Sequence, residues 1–154
     1  MKLKVIVFVA TFALIASCGN NDTKKEGNSK KQVEQPEAIN LDPMEDKGVG
    51  PITSVKLDAI DETMVADGKA LFKTKCSACH KVSKRFVGPA MAGITERRTP
   101  EWIMNMILNP EVMVTQNAAA KKLLAEYLSP MANQSLTEEE ARLILEYFRT
   151  LNAK

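Results

Sequence analysis

Apolar and polar positions divide the chain into three unequal stretches. Val5 to Ile15 is almost wholly apolar and follows the positive start Met1-Lys2-Leu3-Lys4. Gly19 to Gln35 is the reverse, with Val33 its one apolar residue, a composition that cannot bury a core. Pro36, Pro43 and Pro51, with Gly48 and Gly50, then interrupt any long helix. From Asp61 the apolar residues recur at intervals of three and four, which predicts helices. Met64, Val65, Gly68, Leu71 and Phe72 mark one face of a first helix. Thr99-Pro100-Glu101 starts a second, with Thr99 as cap and Pro100 in the first turn. It carries Trp102, Ile103, Met106 and Ile107, and Asn109-Pro110 stops it. Asn117 to Leu128 reads as a third helix closed by Pro130. Thr137 caps a last helix, with Glu140 at the reciprocal capping-box position and Ala141, Ile144, Leu145 and Phe148 on the buried face. No useful strand-like alternation appears, so residues 61–154 are expected to form an all-α domain.

The N-terminal stretch is too short to span a bilayer. Val5 to Ser17 is 13 residues, against the about 20 that a helical span needs. A secretory signal over residues 1–17 fits better. Leu14-Ile15-Ala16-Ser17-Cys18-Gly19 resembles a bacterial lipobox, which implies cleavage before Cys18 and a lipid on that cysteine. An ordinary signal cut elsewhere, with Cys18 incidental, is the alternative. Residues 18–60 are then expected to be a lipid-anchored flexible tether, with Pro51 to Ile60 the part able to pack on the domain as a strap. About 40 flexible residues average roughly 35 Å end to end and reach about 130 Å when stretched. The location implied is the bacterial cell envelope facing the periplasm. Gly19 after the lipidated cysteine leans to the outer membrane.

Charge adds an exclusion. The chain has 21 Lys and Arg against 19 Asp and Glu. Loss of Lys2 and Lys4 with the signal leaves the remainder formally neutral, so no nucleic-acid partner is expected. The charges are nonetheless polarised. Eight basic residues lie between Lys69 and Arg98, against one acid, Glu96. From Glu101 onward acids outnumber bases, seven to five.

The positive stretch surrounds the chemistry. Cys76-Ser77-Ala78-Cys79-His80 has the spacing of c-type haem attachment. Two thiols a helical turn apart add to the two vinyl groups of one porphyrin, and the following histidine turns its imidazole to the iron. His80 is the one histidine in the chain. A structural zinc site wants four Cys or His ligands, and only three are clustered here. A redox dithiol of this spacing belongs near a βαβ pattern, which is absent from the sequence pattern.

These residues, with Val87-Gly88-Pro89, Gly93-Ile94, Arg97-Arg98-Thr-Pro-Glu-Trp102, Asn109-Pro110, Ser129-Pro130-Met131 and the Tyr147-Phe148 helix, resemble a class I cytochrome c over about residues 61–153. The resemblance implies a small helical fold around one covalent haem c. It implies a methionine as second axial ligand, with Met131 in the family's position and Met91 and Met113 as alternatives. Pro89 resembles the proline whose carbonyl accepts from the ligand histidine. Trp102 resembles an aromatic at the haem edge whose N–H reaches a propionate, a plain core tryptophan being the other reading. Arg97 and Arg98 are candidates to neutralise propionates. Gly68 and Phe72 resemble the residues that cross the last helix near Ile144 and Tyr147. The chain departs from the family at Ala132, where many relatives have proline, and Asn133 or Gln134 is a candidate donor toward the methionine sulfur.

The function implied is one-electron transfer, not enzymatic catalysis. Met/His ligation raises the potential and fills both axial positions. A monomer docking on acidic surfaces of redox partners is expected. A dedicated electron-entry subunit of a reductase, oxidase or peroxidase complex is the alternative, as is a haem sensor with a displaceable methionine.

Overall fold

The computed structural model describes residues 42–152; Cys18, the signal and the first part of the expected tether lie outside the described residues. Five α-helices occur among them, with no strand. None is long and apolar enough to cross a membrane.

Helix α1, Glu62–Leu71, is capped by Asp61, whose carboxylate accepts from the N–H groups of Thr63 and Met64. It runs into a π-helical turn, Phe72–Cys76, that delivers the first cysteine. The closing helix α5, Glu138–Arg149, opens with the expected capping box between Thr137 and Glu140. These two helices cross at Gly68, where a Cβ would lie 2.0 Å from the Leu143 carbonyl oxygen. One turn further on, Phe72 packs against Tyr147 and Phe148 with ring centroids 5.6 and 5.7 Å apart. The backbones can approach because residue 68 has no side chain.

Helix α2, Pro100–Leu108, begins as expected, with Thr99 Oγ1 accepting from the Trp102 N–H. The chain does not enter a loop after Asn109-Pro110, as the sequence suggested. Pro110 serves as first-turn residue of a further helix, α3, Pro110–Gln116. The proline that cannot continue one helix is well suited to start the next. Helix α4, Ala118–Tyr127, is capped by Asn117, whose side-chain oxygen accepts from Ala120 N–H. It ends at Leu128, held in the left-handed region at φ 52°.

Residues 42–60 were expected to belong to the tether, with at most 51–60 packed. Here a strap is in place from at least Asp42. Ile52 is buried, and its N–H and C=O both bond the Asn105 side chain, at 3.0 and 2.8 Å. Val55 N–H donates to Glu101 Oε1, and Arg149 donates to the Asp58 carbonyl. Asp61 N–H donates to Glu146, a carboxylate 1% exposed that also pairs with Arg142 and Arg149. The sequence hid this because Asn105 and Glu101 supply polar partners from inside α2. Hydrophobic pattern does not register such contacts.

Candidate haem site

A cavity of about 880 Å³ lies between the α1 terminus, α2, α4 and the two loops that follow Cys79 and Leu128. Its lining is largely apolar, including Ile94, Ile103, Leu123, Leu124 and Phe148. Cys76, Cys79 and His80 stand together along it. Burial, reinforced by the neighbouring Cys79, pushes the Cys76 thiol up to about 11, so the pocket by itself keeps this sulfur protonated.

His80 is fixed from two sides. Its Nδ1–H donates to the Pro89 carbonyl at 3.1 Å, which leaves the Nε2 lone pair available as a ligand. Gly88 packs against the ring so closely that a Cβ there would lie 2.5 Å from Cε1. Sequence reading gave Gly88 no role; its signal was the Gly-Pro pair that curls the chain back on the histidine. The loop is pinned by Gly88 N–H to Cys79 O, 2.9 Å, and by Met91 N–H to Lys81 O, 3.1 Å.

The methionines sort by contact. Met113, one of the alternative ligands, is fully buried on α3, and its sulfur accepts from the Val49 N–H at 3.0 Å. It is not among the cavity residues; Met44, Met91, Met106 and Met131 are. Met91 is buried in the core and Met106 sits on a helix. Met44 is half exposed at the rim, a place unforeseen for a residue ahead of the expected domain. Met131 lies on the loop between α4 and α5. Neither amide beside it reaches for the sulfur: Asn133 donates to Leu108 O and Gln134 to Ala132 O.

Trp102 and Arg97 both have hydrogen-bond partners that the sequence did not show. Trp102 lines the cavity, but its indole N–H donates to Asn117 Oδ1 at 3.1 Å and is turned into the protein. Arg97 also lines the cavity, with its guanidinium donating to the Ala92 and Ala90 carbonyls at 2.7 and 2.6 Å. It braces the loop after Pro89. Arg98 is the cation of the pair over the cavity wall, 4.9 Å from the Trp102 ring centre.

Two thiols and an oriented imidazole beside an apolar cavity, inside a helical shell, define a c-type haem protein, and the residues present fit that group. The chain belongs to the cytochrome c family, whose model, described as Cytochrome c, matches residues 65–152. It is 35% identical over 88 residues to cytochrome c2 of Rhodocyclus tenuis, covering 56% of this chain and 94% of that one. It is 29% identical over 94 residues to cytochrome c-551 of Stutzerimonas stutzeri, covering 60% and 85%. A solved cytochrome c from Rhodothermus marinus superposes with TM-score 0.65 at 44% identity, over 66% of this chain and 89% of that one. The chain is thus an all-α, class I cytochrome c that carries covalent haem c, with Cys76 and Cys79 fitting the attachment motif. It is a haem-based electron carrier, not an enzyme.

Proposed function

We propose that the chain carries single electrons through a haem whose iron is held by His80 and Met131. The observation that carries the reading is the bond from His80 Nδ1 to Pro89, which commits one ring nitrogen and presents the other. Met131 is favoured over its rivals by place: on the cavity, outside the helices, not sunk in the core as Met91 is, and with no competing hydrogen bond of the kind that occupies Met113. When bound, haem c supplies a reversible one-electron couple. The chain's residues bind it through Cys76 and Cys79, orient it through His80 and exclude water with the apolar lining.

Partners are proteins with acidic docking surfaces. Beside the cavity, Phe86, Val87 and Leu128 expose apolar side chains next to Lys81, Lys84 and Arg85. Lys81 lies over the Phe86 ring at 4.8 Å, and Arg85 over Tyr127 at 4.0 Å while pairing with Glu126. Such a surface steers acidic partners and then offers them apolar contact. A lipid on Cys18 anchors the domain at the periplasmic side of a bacterial envelope membrane, and residues 19–41 supply reach.

The test is Met131→Ala in purified holoprotein. Loss of the sulfur-to-iron charge-transfer band and gain of carbon monoxide binding are expected. An unchanged spectrum assigns the sixth position to another residue.

A further inference from the structure

Asp46 lies ahead of the family match, in the strap, yet it grips one wall of the haem cavity at two points. The residue is 8% exposed, and its carboxylate accepts from Asn117 Nδ2 at 2.9 Å through both oxygens and from the Gly48 N–H at 2.8 Å. Asn117 Oδ1 in turn accepts the Trp102 indole N–H. The Asp46 carbonyl accepts from Thr99 Oγ1 at 2.6 Å, and that hydroxyl accepts from the Trp102 backbone N–H at 3.1 Å. Both ends of Trp102 therefore hang on one strap residue. Asp46 also acts on the cavity-lining Arg98. Burial holds that guanidinium below its usual range, and the Asp46 charge works against the depression.

We propose that Asp46 is a positioning residue of the haem pocket that fixes the Trp102 indole with its N–H turned away from the cofactor and, as a buried anion, lowers the reduction potential. The proposal rests on the haem-carrying reading above. The oxidised site carries one more positive charge than the reduced one, so a fixed negative charge nearby favours oxidation. Low exposure leaves the interaction less screened than a surface charge would be. Arg98 opposes it, and the two together set the balance at this wall.

The experiment is potentiometry on the full-length holoprotein. Asp46→Asn keeps the shape and removes the charge; its midpoint potential is expected to rise by roughly three- to tenfold in the one-electron equilibrium, about 28–59 mV. Arg98→Gln leaves the Asp46 hydrogen bonds intact and is expected to move the potential the opposite way. Glu45→Gln, the same charge change on an exposed neighbour, is expected to leave it in place. A merely structural role would not give shifts of opposite sign. Equal shifts in Asp46→Asn and Glu45→Gln, or none in both Asp46→Asn and Arg98→Gln, overturn the charge assignment. Where Asp46→Asn fails to retain haem, the sign of the Arg98→Gln shift decides. Hydrogen exchange of the indole N–H in the unmodified protein tests the positioning: slow exchange is expected, and exchange at the rate of an exposed indole refutes it. Failure of the unmodified protein to show a covalent haem with a reversible couple would instead sink the underlying reading.

Discussion

Gly88 lies against the imidazole of His80 with no room for a methyl group between them: a Cβ would sit 2.5 Å from Cε1 and 2.8 Å from Nδ1. Gly88→Ala is therefore expected to push the ring off the Pro89 carbonyl and misdirect Nε2. The yield of covalently loaded protein should drop severalfold, and what remains should show altered axial ligation in its optical spectrum. A normal spectrum at normal yield would mean the loop yields more easily than the contact implies.

Gly68→Ala tests the other close approach. With a Cβ placed 2.0 Å from the Leu143 carbonyl, α1 and α5 must separate, and overpacking of this kind costs about 1–3 kcal/mol. Urea denaturation should show that loss. The two glycine variants should differ in kind, because Gly68→Ala acts on stability and leaves the histidine's surroundings in place.

Glu146 predicts an acid limit. Burial alone would push its carboxyl up, but hydrogen bonds from Arg149, Arg142 and the Asp61 N–H outweigh burial and hold it below the usual range. A carboxylate depressed in the folded state adds stability that is present above the unfolded value of about 4.3 and is lost as pH falls through the folded one. The urea midpoint should fall as the medium is acidified below that value. In Glu146→Gln this component should vanish, and at neutral pH the variant should be less stable by about 1–3 kcal/mol, with two arginines left short of a partner.

Leu128 separates stability from docking. A leucine at φ 52° carries strain of about 1–2 kcal/mol, and at 85% exposure it recovers nothing from burial. Leu128→Gly should raise thermal stability while slowing electron transfer to an acidic partner. The rate for the unmodified protein should also fall steeply with added salt. A rate indifferent to salt would leave the basic rim without a steering role.

Helix positions were largely legible from spacing and caps, because Thr99 and Thr137 bond their own first turns. Cys76, Cys79 and His80 were legible because their spacing is dictated by one cofactor. Helix α3 was missed since Asn109-Pro110 reads equally as an end and a beginning. The orientation of Trp102 was beyond reach: its N–H is spoken for by Asn117, itself held by Asp46, 71 positions earlier in the chain. Sequence pattern reports neighbours along a helix or strand, and these partners meet only after folding. The bracing bonds of Arg97 were beyond reach for the same reason, its two carbonyl acceptors lying across a loop whose course no periodicity encodes.

The match to the cytochrome c family model begins at residue 65, whereas the structure's cohesion reaches back at least to residue 42. Anyone trimming the polypeptide to its recognisable portion would discard Asn105's hydrogen-bonding clients, the cover over Met113's sulfur and the latch behind Trp102. The shortened product should still take up porphyrin but leak solvent along one flank. The first residue of that match is a poor guide to where this molecule should be cut.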